Sequence, residues 1–368
     1  MAELRVAIIG GGIGGLSAAV ALLSRGAQVQ VYEQAPQLGE VGAGVALQPN
    51  GLRVLERLSV GDRVARVGAR FTEWRFCLMD GTVVSRETFT TLGLHRADLV
   101  TALVASLPQE VVHTGHRCVG FAQDDRRAVV TFDNGVSVEA DVVVAADGIH
   151  STLQRYVVEP RKPVFSGVVA YRGVIPARRV PEWPEGAFRV WAGHGKHLLV
   201  FPLRGGELLN YVGFVPADEQ MRESWTASGD PVRLSAEFAE GWDPMVGRIL
   251  SQVETTFRWG LYDREPLPRW SQGRLTLLGD AAHPMLPHMG QGANQAIEDG
   301  MALATLLRGA SAADVPDVLV RYQVLRRDRT AQFQRGSRIN GVRLDSEEPV
   351  TFGLPWVHDY DVEAEACC

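Results

Sequence analysis

The stretch RVAIIGGGIGGLSAAVALLSRGAQVQVYE, Arg5 to Glu33, constrains this chain more than any other. Arg5–Ile9 is a short β-branched run, the pattern of a strand buried on both faces of a parallel sheet. Gly10, Gly12 and Gly15 then satisfy GxGxxG, with Ile13 and Gly14 between them. The first glycine permits a sharp turn, the second lets a pyrophosphate approach the backbone, and the third lets the next helix pack on the strand. The alanine-rich segment Leu16–Arg25 reads as that helix, its unpaired N–H groups and partial positive charge facing the phosphates. A second strand, Gln28–Tyr32, ends on Glu33, 18 residues beyond Gly15, where a carboxylate can accept hydrogen bonds from ribose hydroxyls. This order predicts a Rossmann-like βαβ unit that binds a dinucleotide, and Glu33 disfavours a 2′-phosphate at the same place.

A plain nicotinamide dehydrogenase would continue with alternating strands and helices. This chain instead places further glycine and acid clusters far apart. QLGEVGAGVALQPNGLRVLERL (37–58) is glycine-rich and then amphipathic. LHRADLVTALVASL (94–107) puts Arg96 at a helix start, and VEADVVVAADGIHST (138–152) is an apolar strand closing on Asp147-Gly148. GRLTLLGDAAHPMLPHMGQGANQAIEDGMALATLL (273–307) is a strand, an acid, a glycine-rich turn and a long helix. An adenosine and two phosphates do not need so many contact points; a longer cofactor with a ribityl chain and a tricyclic ring does. A helix beginning near Gly292 would also stabilise an anionic reduced ring by about 0.5–2 kcal/mol.

Residues 161–265 are rich in aromatic and β-branched residues, and predict a mostly antiparallel sheet inserted as a second, substrate-binding domain. The nucleotide domain is then discontinuous, 1–160 and 266–310. Such a sheet can roof an apolar pocket with a few polar pins. Alternation in Lys196–Phe201 puts His197, Leu199 and Phe201 on one face. Arg172 can pin a carboxylate or make an inter-strand ion pair. Residues 311–368 form a C-terminal part: one long helix to about 345, then an acidic tail whose LPWVHDYD segment is expected to dock on the body and whose last residues are expected to be disordered.

The net charge of −6 among 368 residues argues against nucleic acid or an anionic membrane as partner. The arginine-rich RYQVLRRDR (321–329) reads as a solvated helix face. Four cysteines, Cys77, Cys118, Cys367 and Cys368, contain no CxxC pair, so neither a disulfide framework nor a metal site is predicted. No run reaches the ~18 apolar residues of a membrane span, and the first strand begins too early for a signal peptide. These points lead to the expectation of a cytoplasmic protein, monomer or homodimer.

At GGGIGG with Glu33, Asp147-Gly148 and GDAAHP (279–284), the chain resembles the class A flavoprotein monooxygenases, the para-hydroxybenzoate hydroxylase superfamily. YRGVIPARRVPEW (171–183), HLLVFPLRGGELLNYVGFV (197–215) and YDREPLPRW (262–270) look most like the branch of salicylate hydroxylase, 3-hydroxybenzoate 6-hydroxylase and 6-hydroxynicotinate monooxygenase. The resemblance implies bound FAD, NADH or NADPH as transient co-substrate, and O2, with hydroxylation of a small activated aromatic through the flavin C4a-hydroperoxide. It implies that the glycine loop holds the pyrophosphate and Glu33 the adenosine ribose. Arg96 would reach the pyrophosphate and ribityl region, Asp147 would serve the second nucleotide fingerprint, and Asp280 the ribityl chain. Backbone at Gly292, Ala293 and Asn294 would hold the flavin pyrimidine edge.

It also implies that His197 acts as base or hydrogen-bond partner to the substrate hydroxyl; the alternative is a structural strand histidine. Phe201 stands where some relatives have a tyrosine, Pro287 and His288 belong to the flavin-side loop, and His283 is expected to be structural. Asp280 could alternatively cap a helix. The arginine common after the Asp-Gly pair is absent, since Ile149-His150-Ser151 follow. A tailoring monooxygenase acting on a larger polycyclic or alkene substrate, and a flavin-binding protein without oxygenase activity, are the two alternatives.

Overall fold

The computed structural model describes residues 3–39, 44–217, 227–348 and 350–367. Strand Arg5–Ile9 is buried from Val6 to Ile9 and pairs in parallel with Gln28–Tyr32 on one side and Val142–Ala145 on the other. Val142–Ala145 is buried throughout and pairs in parallel with Leu275–Leu277. Four strands from three distant stretches thus make the centre of a six-stranded sheet, the two middle ones, Arg5–Ile9 and Val142–Ala145, being near-continuous apolar runs. The first helix is Ile13–Ser24, beginning three residues before the expected start, so the last two loop glycines already lie in its first turn. It packs against helix Gly292–Leu307.

The second sheet has nine strands and is wider than expected. Val164–Pro176, Ala187–Gly193, Lys196–Leu203, Leu208–Pro216 and Thr256–Asp263 supply its antiparallel part. Gly44–Leu47, Ala69–Leu78 and Val83–His95, which the sequence placed in the nucleotide domain, extend it on one side. The junction between Ala187–Gly193 and Ala69–Leu78 is parallel, the one parallel pairing described within this sheet. The strands in 44–95 escaped notice because they are short, glycine-interrupted or polar on the outer face.

The long C-terminal helix runs Val315–Asp345. Its arginines are not all solvated: Arg326 is fully buried, donating to Asp299 (2.8 Å) and Glu298 (2.7 Å) of helix Gly292–Leu307. Asp299 also accepts from His283 Nε2 (2.6 Å) and from the Gly279 N–H (3.1 Å). The imidazole and guanidinium hold the Asp299 carboxyl down to about 2 despite its burial. This network fixes the loop between Gly279 and Gly292, and it confirms His283 as a structural residue.

The tail does dock, but its end departs from expectation. Pro355–His358 and Val362–Cys367 are helical, the second packing on helix Gly292–Leu307. Arg53 donates to the carbonyls of His358 (2.9 Å) and Tyr360 (2.7 Å), and Arg57 pairs with Asp361 (2.5 Å). Backbone capture and charge pairing hold LPWVHDYD on the body as expected, while Val362–Cys367, where disorder was expected, is a helix tied down by the Arg25–Glu363 ion pair.

Candidate active site

Between the two sheets lies a cavity of about 700 Å3, within the range of cofactor and ligand sites. Its floor is the nucleotide half. Gly10 has φ +112° and a Cβ there would lie 2.2 Å from the Ala146 carbonyl oxygen; a Cβ on Gly15 would lie 2.0 Å from that of Gly10. No other residue fits either place without moving the backbone. Gly10, Gly12, Ile13 and Gly14 line the cavity; Gly15 lies behind them, packing helix to strand as expected. The first helix carries no side-chain cap, so its leading N–H groups are available to a ligand.

Glu33 lines the same end of the cavity. Its two oxygens accept from the Gly11 N–H (2.7 Å) and the Ala35 N–H (2.8 Å), which pins the carboxylate beside the glycine loop. Arg96 begins helix Arg96–Val104 and Asp280 sits in the turn Gly279–Ala281; both face the cavity and attract one another across it. Burial pushes the Arg96 guanidinium down. Asp280 caps no long helix, so the capping alternative falls away. Asp147 accepts from the Thr152 N–H (2.8 Å) through one oxygen, while its other, Oδ1, is buried without a hydrogen-bond partner. Burial raises its carboxyl. An unpartnered acceptor, a glycine cradle and two uncapped helix starts form a donor set that fits a dinucleotide.

At the other end of the floor, Gly292 and Ala293 open helix Gly292–Leu307, which has no side-chain cap, onto the cavity. The side chain of Asn294, the next residue of this helix, is a brace. It lies outside the cavity wall, its Oδ1 accepting from the Gln48 N–H (3.0 Å) and its Nδ2 donating to the carbonyls of Ala46 (3.1 Å) and Gly290 (2.9 Å).

The roof is the nine-stranded sheet. His197, Leu199 and Phe201 share the cavity-facing side, as alternation predicted. His197 is 1% exposed, stacks on Phe214 (centroids 4.3 Å apart) and meets Asp345 through Nδ1 at 3.2 Å. Its Nε2 is buried without a hydrogen-bond partner. Burial lowers the imidazole and Asp345 opposes the shift. His288 touches the same place from the flavin-side loop, its ring 5.2 Å from His197, and burial holds it well below its usual value. Pro287 lines the cavity beside it. Arg172 lies with its guanidinium 4.2 Å from the Trp259 ring. Burial and Arg96 bring it down to about 9. It lines the cavity as a cation, and an anion there would raise it back toward its ordinary value.

Several walls escaped sequence reasoning. Trp74, Phe188 and Phe352 close the aromatic side, with Trp74 and Phe188 centroids 3.9 Å apart. Trp74 lies in a strand not recognised as part of the roof, Phe188 in one that was recognised but whose cavity-facing side was not assigned, and Phe352 in no strand. Asp345 gave no signal, because 148 residues separate it from His197.

Among the described residues, no group of three or more His, Cys, Asp or Glu could hold a metal, and no helix is long and apolar enough to cross a membrane. The profile of the FAD binding domain family matches residues 3–337. A 3-amino-4-hydroxybenzoate 2-monooxygenase of Streptomyces platensis is 39% identical over 92% of this chain and 87% of its own. A salicylate hydroxylase of Pseudomonas putida is 33% identical over 99% and 94%, and a 6-hydroxynicotinate 3-monooxygenase of Pseudomonas fluorescens 33% identical over 97% and 95%. Among solved structures, a salicylate hydroxylase in complex with substrate superposes with a TM-score of 0.86 at 28% identity, covering 99% of this chain and 97% of the other. The glycine cradle, the uncapped helix starts and the roofed cavity therefore belong to a member of the FAD-binding family, a class A flavoprotein monooxygenase that uses NAD(P)H and O2.

Proposed function

We propose that this enzyme hydroxylates a small phenolic acid or hydroxy-N-heterocycle, of the class on which the 3-amino-4-hydroxybenzoate, salicylate and 6-hydroxynicotinate enzymes act. The observation that carries the reading is His197: buried in the roof, with Nε2 unpartnered and in contact with the flavin-side loop through His288. Gly10, Gly12, Ile13, Gly14 and Glu33 would hold the adenosine diphosphate half of FAD, and Arg96, Asp147 and Asp280 the middle. Backbone at Gly292, Ala293 and Asn294 would hold the pyrimidine edge. When bound and reduced, the flavin supplies activated oxygen to the ring of the substrate.

The chain's own residues do the rest. His197 Nε2 accepts the phenol proton, which raises electron density at the ortho and para carbons. Arg172 receives the carboxylate, for which a buried cation held over an aromatic face suits better than a solvated one. Trp74, Phe188 and Phe201, packed on one another, form an apolar wall that excludes water from the ring. Phe201 contributes no hydroxyl, so proton handling rests on the imidazole. A cytoplasmic monomer or homodimer completes the proposal, supported by Cys77 and Cys118 being free thiols.

The test is NAD(P)H oxidation by the FAD-loaded enzyme across salicylate, hydroxybenzoates, amino-hydroxybenzoates and hydroxynicotinates, with product mass. Stimulation by at least one, with a mass gain of one oxygen or exchange of carboxyl for hydroxyl, is expected. Stimulation by none would favour a larger substrate.

A further inference from the structure

The long helix Val315–Asp345 crosses from the buried arginine network to the edge of the roof, and its last residue is the one that touches His197. Asp345 has 36% of its side chain exposed against 1% for His197, so the pair spans the cavity wall, with one partner inside and one wet. A carboxylate can only accept, so the shared hydrogen belongs to Nδ1. A neutral imidazole with its hydrogen on Nδ1 carries its lone pair on Nε2, the atom that lacks a protein partner.

We propose that Asp345 is the positioning residue that makes His197 a base: it fixes the Nδ1–H tautomer, aims the Nε2 lone pair into the cavity, and stabilises the imidazolium formed there. The inference rests on the reading of His197 given above. In the step it supports, the substrate O–H bond breaks and an Nε2–H bond forms. The Nδ1 hydrogen stays on nitrogen, and the carboxylate takes no proton. The centre then holds phenolate, imidazolium and carboxylate. Before the product leaves, the Nε2–H bond breaks and the phenolate oxygen takes the proton back, which restores the neutral imidazole.

Two further features favour this assignment. Asp345 ends a 31-residue helix, whose last carbonyls bring partial negative charge to the side where the cation forms. Asp345 is the side chain to which His197 is hydrogen-bonded among the described residues. Phe214 and Ala192 face it from the neighbouring strands. His288 is a further titratable contact, and burial first, then repulsion from an imidazolium at His197, keeps it neutral. Lys196, next in the strand, is committed to Glu237 (2.6 Å) on the opposite face, and Arg343 and Glu348 pair with one another beyond the helix end. Arg172 shares the cavity and is assigned to the carboxylate.

The experiment uses the FAD-loaded protein with 4-hydroxy-3-nitrobenzoate as probe, because its phenolate absorbs in the visible and reports ionisation at the site. The pH midpoint of the bound phenolate band is read for wild type, Asp345→Asn, Asp345→Glu, His197→Gln and His197→Gln with Asp345→Asn. Loss of an opposite charge at this range moves a midpoint by about one unit or more. The expectation is that Asp345→Asn raises it by that amount, Asp345→Glu restores most of it, and Asp345→Asn has no further effect once His197 is Gln. If Asp345→Asn keeps the wild-type midpoint while His197→Gln moves it, the proposal fails and the His197 reading stands. If His197→Gln itself moves nothing, the reading and the proposal fail together. Loss of flavin from both Asp345 variants would make the carboxylate structural and overturn the proposal.

Discussion

The floor of the cavity is mostly backbone, and its roof is mostly side chain. On the floor, Gly12, Gly14, Gly292 and Ala293 present N–H groups at two uncapped helix starts, and Gly10, whose own N–H donates to the Tyr32 carbonyl (2.8 Å), makes the turn before the first. On the roof, His197, Phe201, Arg172, Phe188 and Trp74 come from four strands of the sheet and project into the same space. A backbone cradle has few solutions, since only glycine fits and the spacing is set by strand, turn and helix. A side-chain roof can exchange one apolar residue for another at modest cost. The difference implies that floor substitutions act on flavin retention, while roof substitutions act on turnover and choice of substrate.

The largest effect that would break this division lies on the floor. Gly15→Val places carbon within 2.0 Å of the Gly10 carbonyl, and the loop must move. FAD affinity is expected to fall by more than ~100-fold in a fluorescence titration, with no pH at which it recovers. Next, in the roof, His197→Ala should keep FAD and lose ~100-fold in turnover, the range for a general base. Unchanged, well-coupled turnover would remove His197 from the chemistry. Smaller again, Arg172→Met should raise KM for carboxylated phenols about tenfold or more, while leaving an uncarboxylated phenol alone. Equal effects on both would return Arg172 to a purely structural role.

Smallest is an effect in neither region. His358 is buried in the docked tail, its Nε2 3.0 Å from Gln48 Oε1, and its imidazole is pushed down to about 4, chiefly by burial. The unfolded chain binds this proton near pH 6.5 and the folded one only near pH 4. Stability from this group is therefore complete above pH 6.5 and lost as pH falls toward 4, by on the order of 2 kcal/mol after solvent screening. His358→Gln should flatten the melting temperature across that window without altering turnover at pH 8.

The same contrast explains what could be read from residues alone. Gly10, Glu33, Arg96, Asp147 and Asp280 all reach the cavity, because each sits where a strand ends or a helix starts and its place follows from local periodicity. Asn294 was assigned through its backbone; the bracing of Gln48 and Ala46 by its side-chain amide was not legible, because those partners lie far away in sequence. His197 and Phe201 were legible from alternation within one strand. Trp74 and Phe188 were not, since their joint position depends on the parallel register of Ala69–Leu78 with Ala187–Gly193, a long-range pairing that no local pattern encodes. Asp345 depended on where a 31-residue helix happens to end.

The central claim is that one cavity holds a flavin on a backbone floor and a phenolic acid under a side-chain roof, close enough for each to sense the other. The most direct measurement is the visible difference spectrum of the FAD-loaded protein on adding salicylate or 3-amino-4-hydroxybenzoate. The account predicts a saturable perturbation of the flavin bands with wild type, weakened by Arg172→Met. Bound flavin whose spectrum is unmoved by every small phenolic acid, at concentrations up to millimolar, would contradict it.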